Sequence, residues 1–314
     1  MTLTFSIFLP SGFGQDFAHF GDPIEAYEAV TTVARAADEL GYEALYVPDH
    51  LHTIPPSHEY LFEAWSMVTG LARDTQRIRI GQLVTGNSYR NPALQAKMAS
   101  TVDVMSRGRL TFGIGSGWYE PDYLAYGYQF GSAGDRLRHL REAVQVILAL
   151  WTEKEATFDG KYYKIHGAIN EPKGVQPRIP LMIAGAGEKV TLRLVAEYAD
   201  ACNVIESPAG LEHKYDVLRQ HCVDVGRDYE SIRRTATTAY ILRDNDEQAR
   251  AAVPPGAEFA YPGDLASYGL VGSVDTIRAR IAAYEAAGVQ ELVVSFENPT
   301  EVEQVRQFAE LFLK

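Results

Sequence analysis

The loop Pro48-Asp49-His50-Leu51-His52 brings two imidazoles and a carboxylate together directly after an apolar run, Ala44–Val47. Histidines spaced HxH at a strand end can ligate a metal. A complete site of that kind also needs histidines after the fifth and sixth strands and an aspartate after the eighth. Those places hold Ala184-Gly185-Ala186-Gly187, Asn203-Val204-Ile205 and Ser295-Phe296-Glu297, so the metal reading fails. An imidazole that titrates near an ordinary value of about 6.5 is better suited to give or take a proton beside a cofactor. His50, next to Asp49, is the candidate catalytic residue. His52 is read as structural, its side chain on another side of the loop.

Two glycine-rich turns point to a second kind of chemistry. Gly113-Ile114-Gly115-Ser116-Gly117 leads into Trp118, Tyr119 and Glu120, and Ala184-Gly185-Ala186-Gly187-Glu188 leads into a helix predicted to begin near Lys189. Without bulky side chains, backbone N–H groups can approach a ligand closely, and a helix start adds partial positive charge. The second turn is therefore a candidate phosphate cradle. The first is not a dinucleotide fingerprint: its spacing is not GxGxxG, and no acidic partner lies about 20 residues on. Two such turns on neighbouring strand ends suggest one extended cofactor crossing both. Phe13, Ile54, Trp118 and Tyr119 are candidate apolar walls of a substrate pocket, with Leu9 beside them, whereas Trp65 reads as core.

These residues must be held by something, and short apolar runs precede nearly all of them. The candidate strands are Thr4–Leu9, Ala44–Val47, Ile78–Leu83, Arg109–Ile114, Leu181–Ala184, Ala201–Ile205, Thr235–Ile241 and Glu291–Ser295. Most are too short and too uniformly apolar for one-sided antiparallel strands, which would alternate. Between them lie helical stretches. Asp22–Pro23 opens one as N-cap and first helical residue, Ala26, Val30, Val33, Ala34 and Ala37 give it an apolar stripe, and Gly41 ends it. The phrase recurs at Ile277–Ala287 with Gly288, and at Thr191–Tyr198 without a glycine. A repeated helix–turn–parallel strand unit predicts an α/β fold, a single (β/α)8 TIM barrel over residues 1–314, rather than a doubly wound open sheet. Such barrels carry their active sites at the C-terminal ends of the strands. Two segments interrupt the repeat: a predicted hairpin turning at Asp159–Gly160, and a long excursion, Arg243–Gly272, of the kind that covers an active-site face.

With 314 residues, 46% of them hydrophobic, the chain can bury a full-sized core. A net charge of -12 repels phosphate backbones, so no nucleic-acid partner is expected. The start, MTLTFSIFLPSG, lacks the basic lead and long apolar run of a signal peptide, and no segment approaches a membrane span. Cys202 and Cys222 make neither a disulfide framework nor a CxxC pair. A cytoplasmic enzyme acting on a small-molecule substrate, assembled as a homodimer, is the expectation.

Several segments together resemble the luciferase-like monooxygenase superfamily, and more closely its F420-dependent oxidoreductase branch. They are GYEALYVPDHLH, the stretch from IRIGQLVTGNSYRNPALQ to GRLTFGIGSGWYE, LWTEKEATFDGKYY, PLMIAGAGEKVTLRLVAEYADACN and AAYEAAGVQELVVSF. The likeness runs from Phe5 to Phe312. It implies a deazaflavin or flavin at the barrel mouth, with a bulge and a non-prolyl cis peptide near Gln82–Leu83 behind its ring. It also implies that Asp49 and Thr85 contact the ring and that Ser116 and Gly117 lie along the ring and ribityl chain. By the same resemblance Gly185, Ala186, Gly187 and Glu188 hold the phosphate, and His50 is the active-site histidine. The F420-dependent sugar-phosphate dehydrogenases of this branch carry a tryptophan four residues after that histidine and a glutamate directly after the strand-four turn. Ile54 and Trp118 stand there instead, which speaks against glucose 6-phosphate and leaves Glu120 as the nearest substitute acid. The expected activity is hydride transfer between C5 of F420 and a small organic substrate, by reduction of an activated C=C or C=N bond or oxidation of an alcohol. The alternatives are an FMN-dependent monooxygenase, which tends to be longer than this chain, and a non-catalytic flavin-binding barrel.

Overall fold

The computed structural model describes residues 3–313. Eight parallel strands form the inner ring: β1 (Thr4–Phe8), β2 (Ala44–Val47), β3 (Arg79–Gln82), β4 (Leu110–Gly115), β5 (Leu181–Ala184), β6 (Ala201–Val204), β7 (Arg233–Leu242) and β8 (Glu291–Phe296). Each pairs with the next, and β8 returns to β1 with Thr4 opposite Glu291, which closes the ring. A helix follows every strand: α1 (Pro23–Leu40), α2 (Ala64–Asp74), α3 (Pro92–Ser106), α4 (Ala133–Thr152), α5 (Thr191–Tyr198), α6 (Pro208–Val225), α7 (Val274–Ala286) and α8 (Val302–Phe312). This is the (β/α)8 barrel that the repeat predicts.

The uniform apolarity of the strands has a direct cause. Parallel strands in a closed ring are covered on both faces. Ala44, Tyr46, Met182, Ala201 and Val293 form a small cluster with Phe8 and Leu83, separate from the main core between strands and helices. Helix starts follow one recipe. Asp22, Asn91 and Ser207 each cap a helix through the side-chain oxygen, and Pro23, Pro92 and Pro208 supply the first turn, where a missing N–H costs nothing.

Three local expectations need correction. β3 stops at Gln82, one residue early, and a separate pair of residues, Thr85–Gly86, then runs beside the end of β4. The backbones converge here: a Cβ on Gly113 would lie 2.1 Å from the Gln82 carbonyl oxygen, and one on Gly115 2.8 Å from Val84 Cγ2. The non-prolyl cis peptide joins Leu83 and Val84, next to Gln82–Leu83, in the place expected for it. Helix α5 begins at Thr191 rather than near Lys189, because a turn intervenes. The hairpin arms Ala156–Asp159 and Lys164–Ala168 are joined by residues 160–163, not by a two-residue turn. Glu142 of α4 holds that wider loop, accepting from the N–H groups of Lys161, Tyr162 and Tyr163 at 2.9, 2.7 and 3.0 Å.

The excursion after β7 folds back over the mouth of the barrel. Its short strand Leu270–Gly272 pairs with the end of β7, and its Phe259 reaches Trp118, with ring centroids 5.1 Å apart. Among the described residues, no helix is long and apolar enough to cross a membrane.

Candidate active site

A cavity of about 460 Å³ opens at the C-terminal ends of the strands. Phe8 and Phe13 line it from β1 and its loop, Asp49 and His50 from the loop after β2, and Leu83–Gly86 from the end of β3. Gly115–Trp118, Ala184–Ala186, Asn203, Ile205 and Thr237 add to the wall, with Pro48 and Tyr89, and with Phe259, Ala260 and Tyr261 of the excursion. The volume and the mixture of apolar walls with a few converging polar groups are those of a small-molecule or cofactor site.

His50 is held from behind by a carboxylate that the sequence did not single out. Asp122, fully buried, lies 2.8 Å from His50 Nδ1 through Oδ2 and 3.2 Å from His52 Nδ1 through Oδ1. The Tyr89 hydroxyl donates to Oδ2 at 3.0 Å. Burial works to raise the Asp122 pKa, but hydrogen bonds from His50, the Leu51 N–H and Tyr89, with the attraction of His50, hold it below the usual carboxylate range. An ionised carboxylate has no proton to give, so Nδ1 of each histidine is the donor. On His50 this leaves Nε2 as the nitrogen free for chemistry, and His50 lines the cavity. The ring is further fixed by stacking on Phe13 at 3.8 Å, with Trp118 and Tyr119 edge-on at 5.7 and 5.8 Å. His52 does not face a different partner from His50. Both imidazoles turn to the same carboxylate.

Asp49 serves a different purpose. Arg90 grips it in a two-pronged ion pair, Nη1 to Oδ2 at 2.7 Å and Nη2 to Oδ1 at 3.0 Å. Oδ2 also accepts from Thr85 Oγ1 and the Gly86 N–H, both at 2.9 Å. The carboxylate thus ties the loop after β2 to the segment after β3 and fixes the backbone around the Leu83–Val84 bond.

Of the glycines at the mouth, Gly117 is required most plainly. Its φ is +78°, and a Cβ there would lie 1.7 Å from the Tyr123 hydroxyl. Its carbonyl accepts from Arg136 Nε at 3.1 Å, which anchors the turn to α4. In the turn after β5, Gly185 and Ala186 line the cavity and Ala186 and Gly187 are exposed. Glu188 points to α6, where Lys214 Nζ meets it at 2.5 Å and His213 Nε2 at 3.2 Å.

The structure brings together His50, Asp49, Leu83, Thr85, Ser116, Gly117, Gly185, Ala186, Phe13 and Trp118 around one cavity. Tyr119 packs against His50 from just outside the lining. Others stand apart. Gln82 is fully buried off the cavity, and neither end of its amide has a hydrogen-bond partner. Ile54 donates its N–H to the Phe13 carbonyl at 2.8 Å and so braces that loop. Glu120 is exposed at the start of a short helix, Glu120–Ala125, whose buried acid is Asp122. Gly187 and Glu188 sit behind the lining residues of their turn. Asp122 and Tyr89 were missed because a lone acid and a lone tyrosine carry no spacing signal; only the fold sets Asp122 behind His50 and brings Tyr89, a lining residue, onto the same carboxylate.

The sequence model of the luciferase-like monooxygenase family matches residues 3–264. The chain belongs to that family. It is an enzyme of an oxidoreductase family, and the proteins it resembles include ones that use F420 and ones solved with FMN. The F420-dependent glucose-6-phosphate dehydrogenase of Intrasporangium calvum is 28% identical over 285 residues, 88% of this chain and 83% of that one. An F420-dependent secondary alcohol dehydrogenase, solved with an F420–acetone adduct, superposes with a TM-score of 0.83 at 20% identity, covering 99% of this chain and 98% of that one. The oxygenating constituent of 3,6-diketocamphane monooxygenase from Pseudomonas putida, solved with FMN, gives 0.77 at 17% identity, covering 100% and 98%. At these identities the two structures speak for the fold alone.

Proposed function

We propose that the chain is an F420-dependent oxidoreductase in which His50 exchanges a proton with the substrate. The observation that carries the reading is the His50–Asp122 pair at the cavity wall, with Nδ1 committed and Nε2 left over. The residues present suit a deazaflavin. Leu83 and Val84 offer an apolar wall for a flat ring, Ser116 and Gly117 a side-chain-poor edge, and the exposed Ala186–Gly187 peptides a rim for phosphate. Lys214 pairs with Glu188 beside that rim, so the Glu188 carboxylate does not repel a phosphate there.

Bound there, the deazaflavin supplies hydride exchange with an electrophilic carbon; the redox chemistry is the cofactor's own. The protein's share is placement and proton handling. His50 Nε2 gives a proton to, or takes one from, the heteroatom on the reacting carbon. Asp122 stabilises the imidazolium form and holds the ring in one tautomer, as a carboxylate behind a catalytic histidine does. Phe13, Trp118 and Tyr119 keep the ring in place and water away from it.

The deciding experiment is a side-by-side titration of purified protein with F420 and FMN, followed by absorbance and desalting. Substantially tighter retention of F420 is expected. If FMN copurifies stoichiometrically and F420 fails to displace it, the reading falls and an FMN-dependent monooxygenase takes its place. Retention of neither leaves a barrel without flavin chemistry.

A further inference from the structure

We infer that the substrate of this site is a neutral, apolar carbonyl compound or alcohol, recognised by an aromatic strip that runs from His50 to solvent, and that sugar phosphates and carboxylates are excluded. The inference deepens the proposed function and rests on it for the identity of the reacting end.

The strip is built from separate segments. Phe13 stacks on His50, Trp118 meets both at 6.4 and 5.7 Å, and Phe259 of the excursion meets Trp118 at 5.1 Å. Its inner end is buried, while Trp118 and Phe259 are 50% and 55% exposed at the rim. Exposed aromatic faces beside a cavity offer area that a ligand's apolar body can cover.

Charge supports the same conclusion. Among the lining residues there is no lysine or arginine, and the only carboxylate, Asp49, is already neutralised by Arg90. The nearby guanidinium of Arg136 is also engaged, by the Gly117 and Gly131 carbonyls and the Phe130 ring. A phosphate or carboxylate moving in would lose its water with no counter-ion to replace it, which is strongly unfavourable. On the strip itself His50 is the polar group that can meet a carbonyl or hydroxyl oxygen, and the other uncharged polar groups of the lining, such as Ser116, carry no counter-charge, so a substrate with one such oxygen and an apolar body suits the site.

Trp118 provides a readout independent of turnover, because the other two tryptophans, Trp65 and Trp151, are only 2% and 9% exposed. Fluorescence titrations with 2-octanone, octanoate and glucose 6-phosphate, on the protein alone and saturated with F420, test the point directly. A saturable response to 2-octanone is expected, with affinity at least tenfold above those for the two anions. Phe259→Ser should weaken the ketone at least fivefold while F420 affinity, read from its own absorbance, stays the same. Equal or tighter binding of either anion, no saturable response to the ketone in both states, or an unchanged ketone affinity in Phe259→Ser overturns the inference. Failure of F420 to bind overturns the proposed function instead, and the two results are read on different chromophores.

Discussion

Asp122→Asn removes one charge and almost no volume, which makes it the sharpest probe of the site. The native carboxylate accepts from His50 Nδ1 and Tyr89 on Oδ2 and from His52 Nδ1 on Oδ1. An asparagine must turn its NH2 toward one of those sides. Facing His50, it forces Nδ1 to become an acceptor, moves the ring proton to Nε2 and leaves the Tyr89 hydroxyl opposed by a donor. Facing His52, it does the same there and weakens the hold on His50 by loss of charge. Either way a charge-assisted network loses about 1.5–3 kcal/mol, or roughly 2–5 °C in melting temperature for a chain of this size. Turnover should fall about 10²–10⁴-fold, the range associated with general acid–base catalysis, while F420 affinity changes little. The sign of the pH effect follows from the lowered Asp122 pKa. Its stabilisation is fully present above the ordinary carboxylate value of about 4 and is lost as pH falls through the lower native value. The melting difference between wild type and Asp122→Asn should therefore shrink below about pH 4. Nitrogen-15 NMR of the histidines reads the tautomer without any substrate. Turnover within about threefold of wild type, with His50 still protonated at Nδ1, would show that Asp122 does not govern His50.

Three further outcomes are expected. His50→Ala should cut turnover at least about a hundredfold with cofactor affinity nearly unchanged, and His52→Ala less, since it removes only one donor to Asp122; near-normal turnover in both would make His50 structural. Gly117→Ala should lower the melting temperature by several degrees, because an alanine at φ +78° would also meet the Tyr123 hydroxyl at 1.7 Å; an unchanged melt would mean that this turn relaxes freely. Ala186→Asp, at an exposed lining position, should weaken F420 more than tenfold, about 1.4 kcal/mol or more, with the melt unchanged. It is a cleaner test of the phosphate rim than a bulky residue at Gly187, where an added Cβ would lie 2.8 Å from Thr191 Oγ1.

Much of the architecture is legible in the chain because barrels repeat. Every candidate strand overlaps an observed one, and the cap phrases at Asp22–Pro23 and Gly41 mark helix ends within a residue. These signals are local: apolarity over four to ten residues and capping chemistry over two or three. The same locality explains the placement of the loops at one end, since in a parallel barrel every strand's C-terminus faces the same way. Family membership is likewise a property of the ordered motifs.

What the tertiary structure alone decided is which side chains meet. His50 has an acid beside it in sequence, yet Asp49 is taken by Arg90, and the partner of His50 comes from 72 residues away. The two histidines of the HxH loop looked divergent, but a single carboxylate draws both. Phe259 lies in a segment of prolines, glycines and acids, where nothing marks it as a neighbour of Trp118 until the excursion folds over the mouth. In each case the contact is between residues far apart in the chain, set by which loops the closed ring of strands brings side by side. Periodicity reports the face that a residue presents and is silent on what the opposing segment presents to it.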